Sequence, residues 1–315
     1  MHPSVMRFNS LILFLTNKCL SGCSTCNINA VPGNTGMLGS EDIDVLFGYL
    51  SKRGCVNKFI VWTGGEPIEN FPTLKYGLAR ADKYEYKSEI LTSGYWYRDR
   101  PFLLEELKEH GPFSLRISVD SEHLEFSEPE ILSRLACECI DKGIEVNFTV
   151  REIEGDGDLI SELLRSLDKA HPDYLRKKSG DPRWIHRIPH VPVSGIGCNP
   201  DKGGYSISRS GCRMVFRDLV VGWDGNIYPC CGLFSLSGFE KFAVGYIGGS
   251  DILWEGYDRA WELFRQIKEK GITVIAERAG SGDSMKKRYL FRNQCHACLS
   301  LLRDFPFHDK KIPSG

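Results

Sequence analysis

Cys19-Leu-Ser-Gly-Cys23-Ser-Thr-Cys26 places three thiols in a CxxxCxxC spacing directly after the apolar run at residues 10–15. A short apolar run of this kind reads as a buried strand, so the cysteines fall on the loop at its C-terminal end. Three thiolates on one short loop can hold three irons of a cubane cluster and leave the fourth iron open. An open position on a metal centre belongs to catalysis rather than to structure, by the logic that separates open from closed zinc sites.

The chain around this loop has 315 residues, 42% hydrophobic and 26% charged, with a net charge of −1. These are ordinary globular values. The charge gives no reason to expect nucleic-acid or membrane binding through bulk electrostatics, and no apolar run reaches the roughly 18 residues of a membrane-spanning helix. Residues 1–9 lack the apolar stretch of a secretion signal, so the cytoplasm is the expected location. Twelve cysteines in a chain with ample apolar residues point to metal binding rather than a disulfide framework. They cluster at Cys19/Cys23/Cys26, Cys212/Cys230/Cys231 and Cys295/Cys298, while Cys55, Cys137 and Cys139 read as small core residues.

Strand and helix patterns alternate over residues 10–195. Strands are expected at 10–15, 58–62, 88–92, 114–119, 145–150 and 184–193. Helices are expected at 40–53 with Ser40 as N-cap, and at 73–83, 102–110, 129–142 and 158–170. Pro189 and Pro192 argue for an edge position for the sixth strand. The fold class is therefore α/β, a partial (β/α)6 barrel, whose chemistry belongs at the C-terminal strand ends. A small C-terminal α/β module follows, with one helix at about 257–270. The expected domains are 1–197 and 198–315.

Thr63-Gly64-Gly65-Glu66-Pro67 follows the second strand. Glycines permit close backbone approach, Glu66 offers a carboxylate for an ammonium, and Pro67 fixes the exit. With CxxxCxxC at the first strand end, this pattern resembles the radical S-adenosylmethionine (radical SAM) superfamily. The resemblance implies a 4Fe–4S cluster on Cys19, Cys23 and Cys26 that binds SAM through its open iron. It also implies cleavage of SAM to a 5′-deoxyadenosyl radical, which removes a hydrogen atom from substrate. Gly64, Gly65, Glu66 and Pro67 are then cofactor contacts, with Thr92, Ser93, Ser118, Asp120 and Arg151 at later strand ends. One departure stands out: Thr25 occupies the position where many members carry an aromatic residue beside adenine. His123 and Glu125, after the fourth strand, are candidates for substrate contact.

Between Cys212 and Cys230 lies Trp223-Asp224-Gly225-Asn226, a hairpin signal that brings the two cysteines back together. Four thiols from Cys212, Cys230, Cys295 and Cys298 suit zinc or a second 4Fe–4S cluster. The order Cys-x12-Gly-x4-Cys followed by a late CxxC resembles the twitch (short SPASM) module, which implies the cluster. Cys231, beside a ligand, resembles the hydrogen-atom donor of radical SAM epimerases; Cys198 is a weaker candidate. Adjacent strand residues point to opposite faces, so Cys231 is expected to face substrate. The expected function is an epimerase of a sugar, aminoglycoside-type or peptide substrate in natural-product biosynthesis. A dehydrogenase resembling the aminocyclitol enzyme, a peptide cross-linking enzyme and a zinc-stabilised scaffold are the alternatives. A flavodoxin or ferredoxin is the expected electron donor. Arg183, Trp184, His186, Arg187 and His190 offer further substrate contacts.

Overall fold

The computed structural model describes residues 6–23, 26, 28–152, 157–178, 181, 184–189, 211–254, 258–278 and 294–303. The 197/198 boundary, Thr25, Arg183, His190 and Cys198 lie outside them, as do the side chains of Arg151, His186 and Arg187.

The alternating pattern folds as β1 Leu11–Phe14, α1 Ser40–Arg53, β2 Phe59–Thr63, α2 Phe71–Lys83, β3 Lys87–Thr92, α3 Leu103–Lys108, β4 Phe113–Val119, α4 Ser121–Leu124, α5 Pro129–Asp141, β5 Glu145–Glu152, α6 Gly157–Ala170, α7 Pro172–Lys178 and β6 Ile185–Pro189. The C-terminal part adds β7 Leu219–Val221, β8 Asn226–Tyr228, β9 Gly245–Gly248, β10 Asp251–Leu253, α8 Asp258–Lys270, α9 Thr273–Arg278 and α10 Gln294–Arg303. The helix at 40–53 is as expected, but its N-cap is Gly39, not Ser40. Asp42, two residues into the helix, accepts the Gly39 N–H at 2.8 Å and supplies the capping carboxylate. α1 buries Ile43, Leu46, Phe47 and Leu50, an i, i+3, i+4, i+7 stripe that packs onto the sheet.

Among the described residues the strands form one sheet in the order β10-β9-β8-β7-β1-β2-β3-β4-β5-β6. β1 to β6 run parallel, and β6 lies at the edge, where Pro189 ends it. The Asp-Gly hairpin is β7–β8, with Val220 opposite Tyr228. It docks through β7, parallel to β1, so the C-terminal strands extend the barrel sheet rather than standing apart from it.

Register divides the sheet into two faces. Trp62 is fully buried against α2: its ring lies where a Cβ on Gly77 would sit 2.5 Å away. Residues opposite one another in neighbouring strands share a face, and successive residues alternate. Leu13, Trp62 and Ile90 are opposite one another and face the helices. Ile12, Val61 and Glu89 therefore share the inner face, which runs on through Leu91, Arg116 and Asn147 and, on the other side, through Val220 and Tyr228. No described helix is long and apolar enough to cross a membrane.

Candidate active site and metal centres

Two strand ends meet first. Gly65 N–H donates to the Thr16 carbonyl at 2.7 Å, and Glu66 N–H donates to the Lys18 carbonyl at 2.9 Å. A Cβ at position 64 would lie 2.5 Å from the Thr16 oxygen, and one at position 65 would overlap the Lys18 oxygen. The glycines were expected to let backbone approach a ligand. They let the loop after β2 press against the cysteine loop after β1. The result is that Glu66 stands beside Cys19. Burial, and after it the Glu66 charge, push the Cys19 thiol up to about 12.

Glu66 is wholly buried. Its carboxylate accepts from Thr92 Oγ1 at 2.8 and 2.9 Å, from Ser93 Oγ at 2.7 Å, from Ser93 N–H at 2.9 Å and from Ile68 N–H at 3.4 Å. These donors are all uncharged, and burial still raises the Glu66 pKa. Thr92 in turn accepts from Trp96 Nε1 at 2.9 Å and Gly94 N–H at 3.0 Å. Thr92 and Ser93, expected to touch the cofactor, hold Glu66 in place. Pro67 starts the one-turn helix that leaves this corner.

Sequence reasoning missed a second network. Tyr95 Oη accepts the Leu20 N–H at 3.3 Å, tying the cysteine loop to the segment after β3. It donates to Glu69 at 3.1 Å, and Glu69 also pairs with Lys18 at 3.2 Å and Arg100 at 3.0 Å. Burial acts to raise the Glu69 pKa, but these partners outweigh it and lower the value. No local pattern marks these residues, because they come from three separate strand ends.

At the end of β4, Ser118 lies on the inner face and Asp120 is buried. Asp120 caps α4 through the His123 N–H at 3.1 Å, and its carboxylate lies 2.7 Å from His123 Nδ1. His123 also contacts the Cys23 sulfur. Burial lowers its pKa, but Asp120 and Cys23 outweigh burial and raise it to about 10. His123 is thus engaged with the cysteine loop, while Glu125 is exposed. Arg151 sits on β5, opposite Ile188. Trp184 is buried against Phe148, with ring centroids 6.2 Å apart, and belongs to the core rather than to a substrate surface.

Cys212 and Cys230 are brought near each other as the hairpin signal implied, and Cys295 and Cys298 lie close enough to act on the same thiols. Burial first raises the Cys230 thiol, and then Cys231, Cys298 and Cys212. Cys298 is raised by burial and by Cys212 and Cys295, and Cys295 by burial and Cys212. Cys231 is not the strand residue expected, since β8 ends at Tyr228; it opens the one-turn helix Cys231–Ser235, whose Phe234 ring centroid lies 4.3 Å from that of Phe14 on the inner face. Burial, then Asp218 and Cys295, raise the Cys231 thiol. Asp218 accepts from Ser10 Oγ at 2.7 Å where β1 and β7 begin. Cys231 therefore lies toward the N-terminal ends of these strands, whereas Cys19 and Glu66 lie at C-terminal ends.

Among the described residues no three His, Cys, Asp or Glu side chains are arranged to hold a single metal ion. A cubane does not need such convergence, since each thiolate binds a different iron. The donor chemistry fits one at the cysteine loop: soft sulfurs, one of them, Cys26, already accepting a backbone N–H from Ala30 at 3.4 Å. A buried carboxylate served only by neutral donors also suits a cationic ligand group.

A family model described as the Radical SAM superfamily matches residues 13–171. YydG of Bacillus subtilis (strain 168), named for a role in peptide biosynthesis, is 22% identical over 231 residues, covering 69% of this chain and 67% of YydG. The crystal structure of Streptococcus suis SuiB bound to its precursor peptide SuiA aligns at a TM-score of 0.52 and 16% identity. That alignment covers 74% of this chain and 63% of SuiB, so the chain spans less than two thirds of SuiB's length. Native anSMEcpe with bound AdoMet aligns at 0.52 and 15% identity, covering 84% of each chain. These structures share the fold. With its CxxxCxxC and GGEP loops locked together at adjoining strand ends, the chain belongs to the radical SAM superfamily.

Proposed function

We propose that this radical SAM protein is an epimerase, with Cys231 returning a hydrogen atom to the substrate face opposite the one that loses it. Cys19, Cys23 and Cys26 would hold the SAM-binding cluster. Glu66 would take the ammonium of SAM, with Gly64, Gly65, Pro67, Ser118, Asp120 and Arg151 around it and Thr92 and Ser93 fixing the Glu66 carboxylate. Cys212, Cys230, Cys295 and Cys298 would hold a second 4Fe–4S cluster, within a C-terminal module beginning near residue 198. When bound, the first cluster and SAM supply a carbon-centred radical able to take hydrogen from an unactivated C–H bond.

The placement of Cys231 supports the epimerase reading. Loss and return of hydrogen on opposite faces require two groups on opposite sides of the substrate. Glu66 stands at C-terminal strand ends, whereas Cys231 lies toward N-terminal ends beside Asp218. In the return step the Cys231 S–H bond breaks and a C–H bond forms, leaving a sulfur radical. One electron from a flavodoxin- or ferredoxin-type donor and one proton from water restore the thiol. A peptide is the favoured substrate class, since YydG is named for peptide biosynthesis.

The test uses the full chain, reconstituted anaerobically with iron and sulfide, then given SAM, a reductant and a pool of capped peptides in heavy water. The epimerase reading expects a product of unchanged formula carrying one deuterium. Cys231→Ala should remove that deuterium while 5′-deoxyadenosine still forms. A product lighter by two hydrogens would instead establish oxidation or cross-linking, and deuterated product from Cys231→Ala would sink the role of the thiol.

A further inference from the structure

Midway along the inner face is a buried polar cluster that the chemistry above leaves unused. Arg116 Nε donates to Glu89 Oε1 at 3.0 Å, and Arg116 Nη2 lies 3.0 Å from Glu89 Oε2. Arg116 Nη1 donates to the Phe148 carbonyl at 3.4 Å, and Asn147 Nδ2 donates to Glu89 Oε2 at 3.3 Å. The Arg116 and Glu89 side chains are 13% and 10% exposed, and Asn147 is buried. The three residues sit on the adjacent strands β4, β3 and β5, and Arg116 is directly opposite Asn147.

Their height matters. Glu89 precedes Ser93, and Arg116 precedes Asp120, by four residues, about 13 Å of strand. They therefore lie below the Glu66 corner and on the same side of the sheet as the Cys231 turn. Parallel sheets normally carry apolar residues on both faces, and a buried ion pair is weak evidence for stability, since apolar residues of similar volume serve as well.

We propose that Glu89, Arg116 and Asn147 form the substrate-positioning site, and that it takes neutral amide groups of a peptide. This rests on the radical SAM reading. The pair is charge-balanced. An ammonium would be drawn to Glu89 and repelled by Arg116, and a carboxylate would meet the reverse. An amide offers one donor and one acceptor and is served by both. Ser118 and Thr149, opposite each other one step closer to the strand ends, extend the polar track toward the Glu66 corner.

The experiment is a competition within one reaction. The reconstituted full chain receives SAM, reductant and a pool of capped peptides whose central residues are neutral, acidic or basic, with an aminocyclitol as a further competitor. Modified products are counted by mass spectrometry. The wild type should select neutral peptides. Glu89→Gln keeps the shape but leaves Arg116 unbalanced, and should shift the product ratio toward acidic members by about tenfold, the scale of a hydrogen bond to a charged group. Asn147→Asp adds a negative charge and should shift it toward basic members, which keeps the test alive if one variant fails to fold. A ratio within one tube does not depend on cluster loading, and a merely structural role would not move it. Unshifted ratios in both variants overturn the proposal, as does preference for the aminocyclitol. Formation of 5′-deoxyadenosine without any peptide product also overturns it while sparing the radical SAM reading; absence of 5′-deoxyadenosine sinks both.

Discussion

Replacing Glu66 by Gln separates what this residue does for folding from what it does for binding. The carboxylate is fully buried, accepts from Thr92, Ser93 and Ile68, and is served by no cation in those bonds. Its pKa is raised in the fold, chiefly by burial. A raised pKa means that the folded state holds the proton more tightly than the unfolded chain does. The associated stability is complete below the unfolded value of 4.5 and is lost as pH rises through the higher folded value. Glu66→Gln removes that dependence. Melting of the iron-free protein should show the variant gaining on wild type as pH rises above 4.5. SAM binding should move the other way. A hydrogen bond to a charged group is worth roughly 1.5–3 kcal/mol, or about 10- to 150-fold in affinity. Isothermal titration of the reconstituted protein with SAM reads this directly. Equal SAM affinity in variant and wild type would refute the assignment of Glu66 to the ammonium, and a variant that loses ground to wild type as pH rises would refute the electrostatic reasoning.

Gly65→Ala places a methyl group on the Lys18 carbonyl; overpacking of this kind costs about 1–3 kcal/mol, and the variant should lose iron from the first site and melt lower. Tyr95→Phe strands the Leu20 N–H and withdraws a donor from Glu69, so thermal unfolding should show a loss of about 1–3 kcal/mol, with weaker iron retention at the cysteine loop. Cys298→Ser should lower the iron content from about eight to about four per chain if the late CxxC ligates a second cluster; unchanged iron after reconstitution would remove Cys298 from the ligand set.

The alternation of strands and helices was legible because it is periodic and local. The helix at 40–53 and the β7–β8 hairpin needed only an apolar stripe and an Asp-Gly turn. The cap of α1 was misplaced by one residue, because a serine at the boundary looked sufficient while Asp42 did the capping from inside the helix. Trp184 reads as a substrate contact in the sequence because nothing local reveals that Phe148 covers it.

The sequence by itself determined the chemistry available: three thiols on a strand-end loop, a glycine pair before a glutamate, and a second cysteine set around a hairpin. These are spacings along the chain, set by short-range geometry. Only the tertiary structure decided what those groups do to one another. It showed that Gly64 and Gly65 serve loop-to-loop packing, that Thr92 and Ser93 hold Glu66, and that Cys231 lies at the other end of the strands from Cys19. It also assembled Glu89, Arg116 and Asn147 from three strands into one buried cluster. Such contacts depend on sheet register and strand order, which here join residues 26 to 58 positions apart and leave no trace in local spacing.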